Sequence, residues 1–127
     1  MRRLMISLLL IIVAACARDS SEQRLRQYFE LASDVPADTL ALASAILEQL
    51  KAGTSEAQVA AALSAHGVGR DSLSSYYPPT DSDTGLVRVE HDRNGTNVVV
   101  KSYLVRLVFD STRKLSTVGV TQWLTGP

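Results

Sequence analysis

Along residues 97–110, NVVVKSYLVRLVFD, every second side chain from Tyr103 onward is apolar: Tyr103, Val105, Leu107 and Phe109. Successive side chains of a strand point to opposite faces, so this alternation describes a strand with one buried face and one open face. A half-buried strand needs neighbours to pair with and a layer to cover it. Both are legible nearby. LVRVEH (86–91) reads as a preceding strand, joined through Asn94-Gly95, a strong tight-hairpin signal. STRK (111–114) reads as the next turn and LSTVGVTQW (115–123) as a third strand. Lys101 shares the parity of the apolar set, which predicts a bend or bulge near Lys101-Ser102. Gly119 inside the third strand predicts a close approach of a covering helix. The expected sheet is a three-stranded antiparallel meander.

The covering layer comes from the middle of the chain. In SDVPAD (33–38), Asp34 suits a helix cap and Pro36 a first helical turn. Leu40, Ala43, Ile46, Leu47 and Leu50 then form one apolar stripe at helical spacing. This helix is expected to end near Lys51-Ala52, with Gly53 as its left-handed stop. A second helix restarts at once. Ser55 and Gln58 fit a capping box, Val59, Ala62 and Leu63 give its buried face, and His66-Gly67 closes it. Residues 67–85 are rich in Gly, Ser, Pro and Asp and read as a long connection. A short amphipathic helix is expected at 23–32, either packed on the domain or lying on a membrane surface. The fold class is therefore α+β: a two-helix hairpin packed on one face of a three-stranded antiparallel meander.

The N-terminus places the chain. Arg2 and Arg3 precede a short apolar run, 4–13, then Ala14-Ala15 and Cys16, the one cysteine in the sequence. Charge, short apolar core and small residues form the layout of a secretory signal, too short to span a bilayer. VAAC (13–16) resembles the lipobox of bacterial lipoproteins. That resemblance implies lipid attachment at Cys16: a diacylglyceryl group on the thiol, cleavage before it, and an N-acyl chain on the new terminus. Two or three acyl chains give stable anchoring where one gives only marginal binding. Ala17 and Arg18 follow the cysteine, with none of the aspartate that resembles inner-membrane retention. The expected location is the periplasmic face of the outer membrane, or the plasma membrane surface in a host without an outer membrane. The expected division is a signal peptide at 1–15, a lipidated tether at 16–34 and a domain at 35–127. Formal charge is balanced over the whole chain, and loss of Arg2 and Arg3 leaves the remainder slightly acidic. No basic cluster supports nucleic-acid binding.

Taken together, the lipobox, the helix junction LKAGTSEAQVAAAL (50–63) and the strand ending YLVRLVFD (103–110) resemble the BamE/SmpA-like small outer-membrane lipoproteins. Gly53, Ser55, Gln58, Val59 and Leu63 match that family's helix junction, and Phe109-Asp110 its strand end. The resemblance covers about residues 39–121. It implies a helix pair on a three-stranded sheet, and a protein-binding or scaffold role in envelope assembly through the sheet face and loops. A similar layout occurs in secreted inhibitors of β-lactamases, so an inhibitor or modulator of an envelope enzyme is the alternative.

The residue inventory offers little chemistry. His91 beside Asp92 lacks a nucleophile, and strand neighbours face opposite ways. DSDTG (81–85) lacks the acid pattern of a calcium loop. His66 reads as a partner for a helix C-terminus. We expect no enzymatic activity, no cofactor besides the acyl chains, no metal, no small-molecule substrate and no nucleic acid. The expected partners are membrane lipid, through the anchor, and an envelope protein. Tyr76 and Tyr77 are the candidate protein-binding residues, because adjacent tyrosines in a loop supply amphipathic contact area. Core packing is the competing expectation for them, and core or sheet-edge packing is expected for Trp123.

Overall fold

The computed structural model describes residues 20–91 and 100–125, and Cys16 and the Asn94-Gly95 hairpin signal lie outside them. The described chain is α+β: three helices, α1 (Ser20–Tyr28), α2 (Thr39–Leu50) and α3 (Glu56–Ala65), precede four strands, β1 (Ser74–Tyr77), β2 (Thr84–Val89), β3 (Val100–Phe109) and β4 (Leu115–Thr125). The strands form an antiparallel meander in the order β1-β2-β3-β4. The expectation of three strands is corrected by β1. Ser74–Tyr77, read as part of a long connection, pairs along its whole length with 86–89 of β2. Two adjacent tyrosines favour a pleated, half-buried surface, and that preference outweighs the flanking turn residues.

The buried face of β3 is the one its alternation describes: Tyr103, Val105, Leu107 and Phe109 are all buried. They meet Val87 and Val89 of β2, Leu115 and Val120 of β4, and the helices above. Each fully buried Leu, Ile or Phe here contributes roughly 1.5–3 kcal/mol of transfer free energy. Pairing runs without interruption past Lys101 and Ser102; the irregularity falls instead at Val108/Phe109, where Ser116 is the extra residue between Leu115 and Thr117. That bulge ends the ladder next to the turn.

Helix α1 belongs to this core. Leu25, Tyr28 and Phe29 are buried in it, so the apolar side of the segment faces the domain. Arg26 is only 7% exposed. Its Nε donates to Glu22 Oε2 at 3.3 Å, Nη1 to the Ala32 carbonyl at 3.1 Å and Nη2 to the Val35 carbonyl at 2.7 Å. One guanidinium thus ties α1 to the connection that leads into α2. A buried charge of this kind is tolerable only when its donors are satisfied.

The cap of α2 is Asp38, whose carboxylate accepts the Ala41 amide at 2.8 Å, and not Asp34. The buried face is the expected one except at its first turn. Leu42, Ala43 and Ile46 are buried, Leu47 and Leu50 partly so, while Leu40 is 81% exposed. The helix ends near Lys51, as expected, and takes its left-handed turn there, two residues before the glycine. Lys51 adopts φ 72° and its amide closes on Leu47, before Gly53 at φ 90°. Helix α3 has the expected capping box at Ser55 and Gln58. It ends in a Schellman motif: Gly67 N–H donates to the Ser64 carbonyl, and Val68 N–H to that of Leu63. Glu30, at φ 51°, makes the same kind of stop after α1. Its carboxylate takes His66 Nε2 at 3.0 Å and Gln49 Nε2 at 3.4 Å, joining the ends of all three helices.

Candidate protein-interaction surface

The two tyrosines of β1 diverge. Tyr76 pairs with Val87, whose side chain is buried, and so leans toward the helix side; Tyr77 pairs with Leu86 and faces the open side. They form no single patch, and each belongs to a different surface.

On the helix side, Tyr76 borders a shallow groove of about 420 Å³ between the start of α3 and the β3–β4 turn. Ala57, Ala60 and Pro78 give it an apolar floor, and Glu56, Thr112, Arg113 and Lys114 rim it. Arg113 Nε lies 3.3 Å from Glu56 Oε2 across the rim. The phenol oxygen of Tyr76 is buried and has no hydrogen-bond partner among the described residues. Burial, aided by the Glu56 carboxylate, pushes its pKa above the ordinary tyrosine value. The rim is held by Asp110, whose Oδ1 accepts from Thr112 Oγ1 at 2.7 Å, Thr112 N at 2.9 Å and Lys114 N at 3.1 Å. Those bonds, the Thr112 hydroxyl foremost, hold the Asp110 carboxyl below its ordinary value.

The open face of the sheet is the second feature. Tyr77, Leu86, Leu104, Val108 and Trp123 lie on it by register, opposite the face on which Val87, Val105 and Leu107 pack with the described helices. Tyr77 is 49% exposed and Trp123 38% exposed, so Trp123 is a surface residue and not part of the core. Two arginines cross this face. Arg88 pairs with Glu90 at 3.3 Å and reaches Ser75 Oγ at 3.4 Å. Arg106 donates to Thr121 Oγ1 at 2.7 Å and lies over Gly119, where an added Cβ would fall 2.8 Å from its Nη2. The close approach expected at Gly119 therefore comes from a cross-strand arginine and not from a helix. Sequence reading missed both arginines as surface elements. Their placement opposite a glycine or a hydroxyl residue is visible only once the register is known.

The histidines hold structural contacts. His66 meets Glu30, and His91 Nδ1 lies 3.1 Å from Ser20 Oγ at the start of α1. Asp92 lies outside the described residues. Among the described residues no group of three or more His, Cys, Asp or Glu side chains is placed to hold a metal ion. Among them, too, no helix is long and apolar enough to cross a membrane. Comparison of the chain with protein-family models, curated proteins and solved structures finds no match.

Proposed function

We propose that this protein is a lipid-anchored bacterial lipoprotein of BamE/SmpA-like type, acting as a non-enzymatic binding or scaffold module in envelope assembly. Cys16 is the attachment point, carrying diacylglycerol and an N-acyl chain, and the domain works on the periplasmic face of the outer membrane. The observation that carries the binding role is the sheet face turned away from the described helices, where exposed Tyr77 and Trp123 and half-buried Leu86, Leu104 and Val108 surround Arg88 and Arg106. Aromatic residues and arginine are the types enriched where proteins meet, and an apolar face left open beside them gives a partner something to desolvate.

Two measurements test this. Mass spectrometry of the processed N-terminus is expected to find a terminal cysteine bearing acyl chains, and a water-soluble product with a free thiol would sink the anchoring. Pulldown from membranes is expected to recover β-barrel assembly components with the unaltered chain and to lose them with Tyr77→Ser/Trp123→Ser. Recovery of one envelope enzyme instead, inhibited on binding, would replace the scaffold reading with that of a modulator.

A further inference from the structure

The sheet has two edges, and they are defended very differently. Edge strand β1 is four residues long and runs directly into Pro78-Pro79. Short edge strands and proline are the usual means by which a sheet refuses another strand. Edge strand β4 has neither. Its eleven residues, LSTVGVTQWLT, contain no charge and no proline. Its first residue is paired on the outer side: Leu115 exchanges backbone hydrogen bonds of 2.8 Å with Gly53 and Thr54. Beyond the extra residue Ser116, nothing pairs with the outer edge from 117 to 125 among the described residues.

The direction of the unpaired groups follows from the ladder. Phe109 N–H donates to Asp83 at 2.8 Å, toward β2, so in β3 the backbone groups of 102, 104, 106 and 108 turn toward β4. Their partners in β4 are Trp123, Thr121, Gly119 and Thr117. The backbone groups of Val118, Val120, Gln122 and Leu124 consequently point outward and are free to pair.

We infer that the outer edge of β4 is a homodimerisation edge, pairing antiparallel with β4 of a second copy of this chain about a two-fold axis at Thr121. The free stretch is centred on Thr121, and pairing the stretch with itself places Val118 opposite Leu124 of the copy and Val120 opposite Gln122. On the open face, Trp123 falls opposite Gly119, beside the Arg106 guanidinium that already lies over that glycine. An aromatic ring against an arginine plane is a favourable contact, and a glycine is the one residue that leaves room for it. On the helix side, Leu124, 61% exposed in the single chain, falls opposite half-buried Val118. The two most exposed apolar side chains of the strand are thus both covered by one register. A two-fold contact requires a patch complementary to itself, and a strand without charge brings no like charges together in that arrangement. A foreign strand would not be favoured by this match of Trp123 to Gly119 and Leu124 to Val118.

The test uses the full chain in detergent. Light scattering on the purified protein is expected to give a dimeric mass, and Gln122→Lys, an exposed edge position, a monomeric one. Oxidation of Thr121→Cys should give a disulfide-linked dimer well above the background of the unaltered chain, whose Cys16 sulfur, lipidated as proposed, is no thiol to oxidise, because cross-strand neighbours at the axis lie within disulfide reach. Thr117→Cys, equally exposed but far from its own copy in this register, should stay at background. Monomeric mass throughout, equal cross-linking in the Thr117→Cys and Thr121→Cys variants, or cross-linking of the Thr121→Cys variant to a different protein would each overturn the proposal. Circular dichroism of each variant identifies any that fails to fold, and the unaltered chain's mass then decides alone.

Discussion

Tyr76 reaches across the sheet to lie over Gly85: a Cβ built on that glycine would sit 3.0 Å from the tyrosine oxygen and 3.2 Å from Cε2. Pro79 Cδ would be 3.3 Å away. The missing side chain at 85 is what lets the phenol ring lie down between β2 and the groove.

Gly85→Ala should therefore destabilise the domain by about 1–3 kcal/mol through overpacking. Tyr76→Phe should be neutral or stabilise it by up to about 1 kcal/mol, since it removes a buried hydroxyl that has no partner among the described residues. Urea unfolding of both variants checks the pair. A clear loss of stability in Tyr76→Phe would mean that the hydroxyl is bonded in solution.

Arg26 should be the most sensitive charged position. Arg26→Ala takes the guanidinium away from buried Glu22 and strips the Ala32 and Val35 carbonyls of this donor. The expected loss is about 3–5 kcal/mol, enough to detach α1 from the core. Hydrogen exchange should then show α1 and 29–38 losing protection ahead of β3.

Lys51→Gly should stabilise the protein by about 1 kcal/mol, because a side chain at φ 72° carries a penalty that glycine lacks. The gain should appear as a raised denaturation midpoint with an unchanged slope. Lys51→Val should lower the midpoint, as branching at Cβ worsens the same clash.

Asp110 sets an acid limit on the β3–β4 turn. Its folded pKa lies below its unfolded one, so its contribution is fully present above the unfolded value, about 3.9, and is lost as pH falls through the folded value. Asp110→Ala should lower the melting temperature at neutral pH, and the gap from the unaltered protein should close as the pH drops below about 4. A gap independent of pH would mean that the carboxylate does not hold the turn.

The parts of the fold legible in the sequence were those with a strict period or an unambiguous cap. The alternation of Tyr103, Val105, Leu107 and Phe109, and the Ser55–Gln58 box, are local patterns with local physical causes, and both are present. The end of α2 near Lys51 is legible, but that Lys51 and Glu30 themselves take positive φ is not, because nothing in a non-glycine side chain announces it. Of the expected α2 stripe, Ala43, Ile46, Leu47 and Leu50 do face the core; only its first member differs, because an apolar residue at Leu40 fits a helical stripe as well as Leu42 does, and docking on the sheet separates them. Of the candidate site, the tyrosines were found, but their separation to opposite faces depends on β1, whose short Ser-Ser-Tyr-Tyr run lay among turn residues. The arginines of the open face needed the register of three strands.

The packing of α1 also limits how far the domain could stand from a bilayer. Leu25 and Phe29 bind the helix to the core, so the described chain is already part of the folded body at Ser20–Tyr28. An extended chain covers at most about 14 Å from residue 16 to residue 20. Were Cys16 acylated as proposed, the body would ride close over the headgroups on a very short leash, able to sweep sideways across the leaflet but barred from reaching partners far from the bilayer.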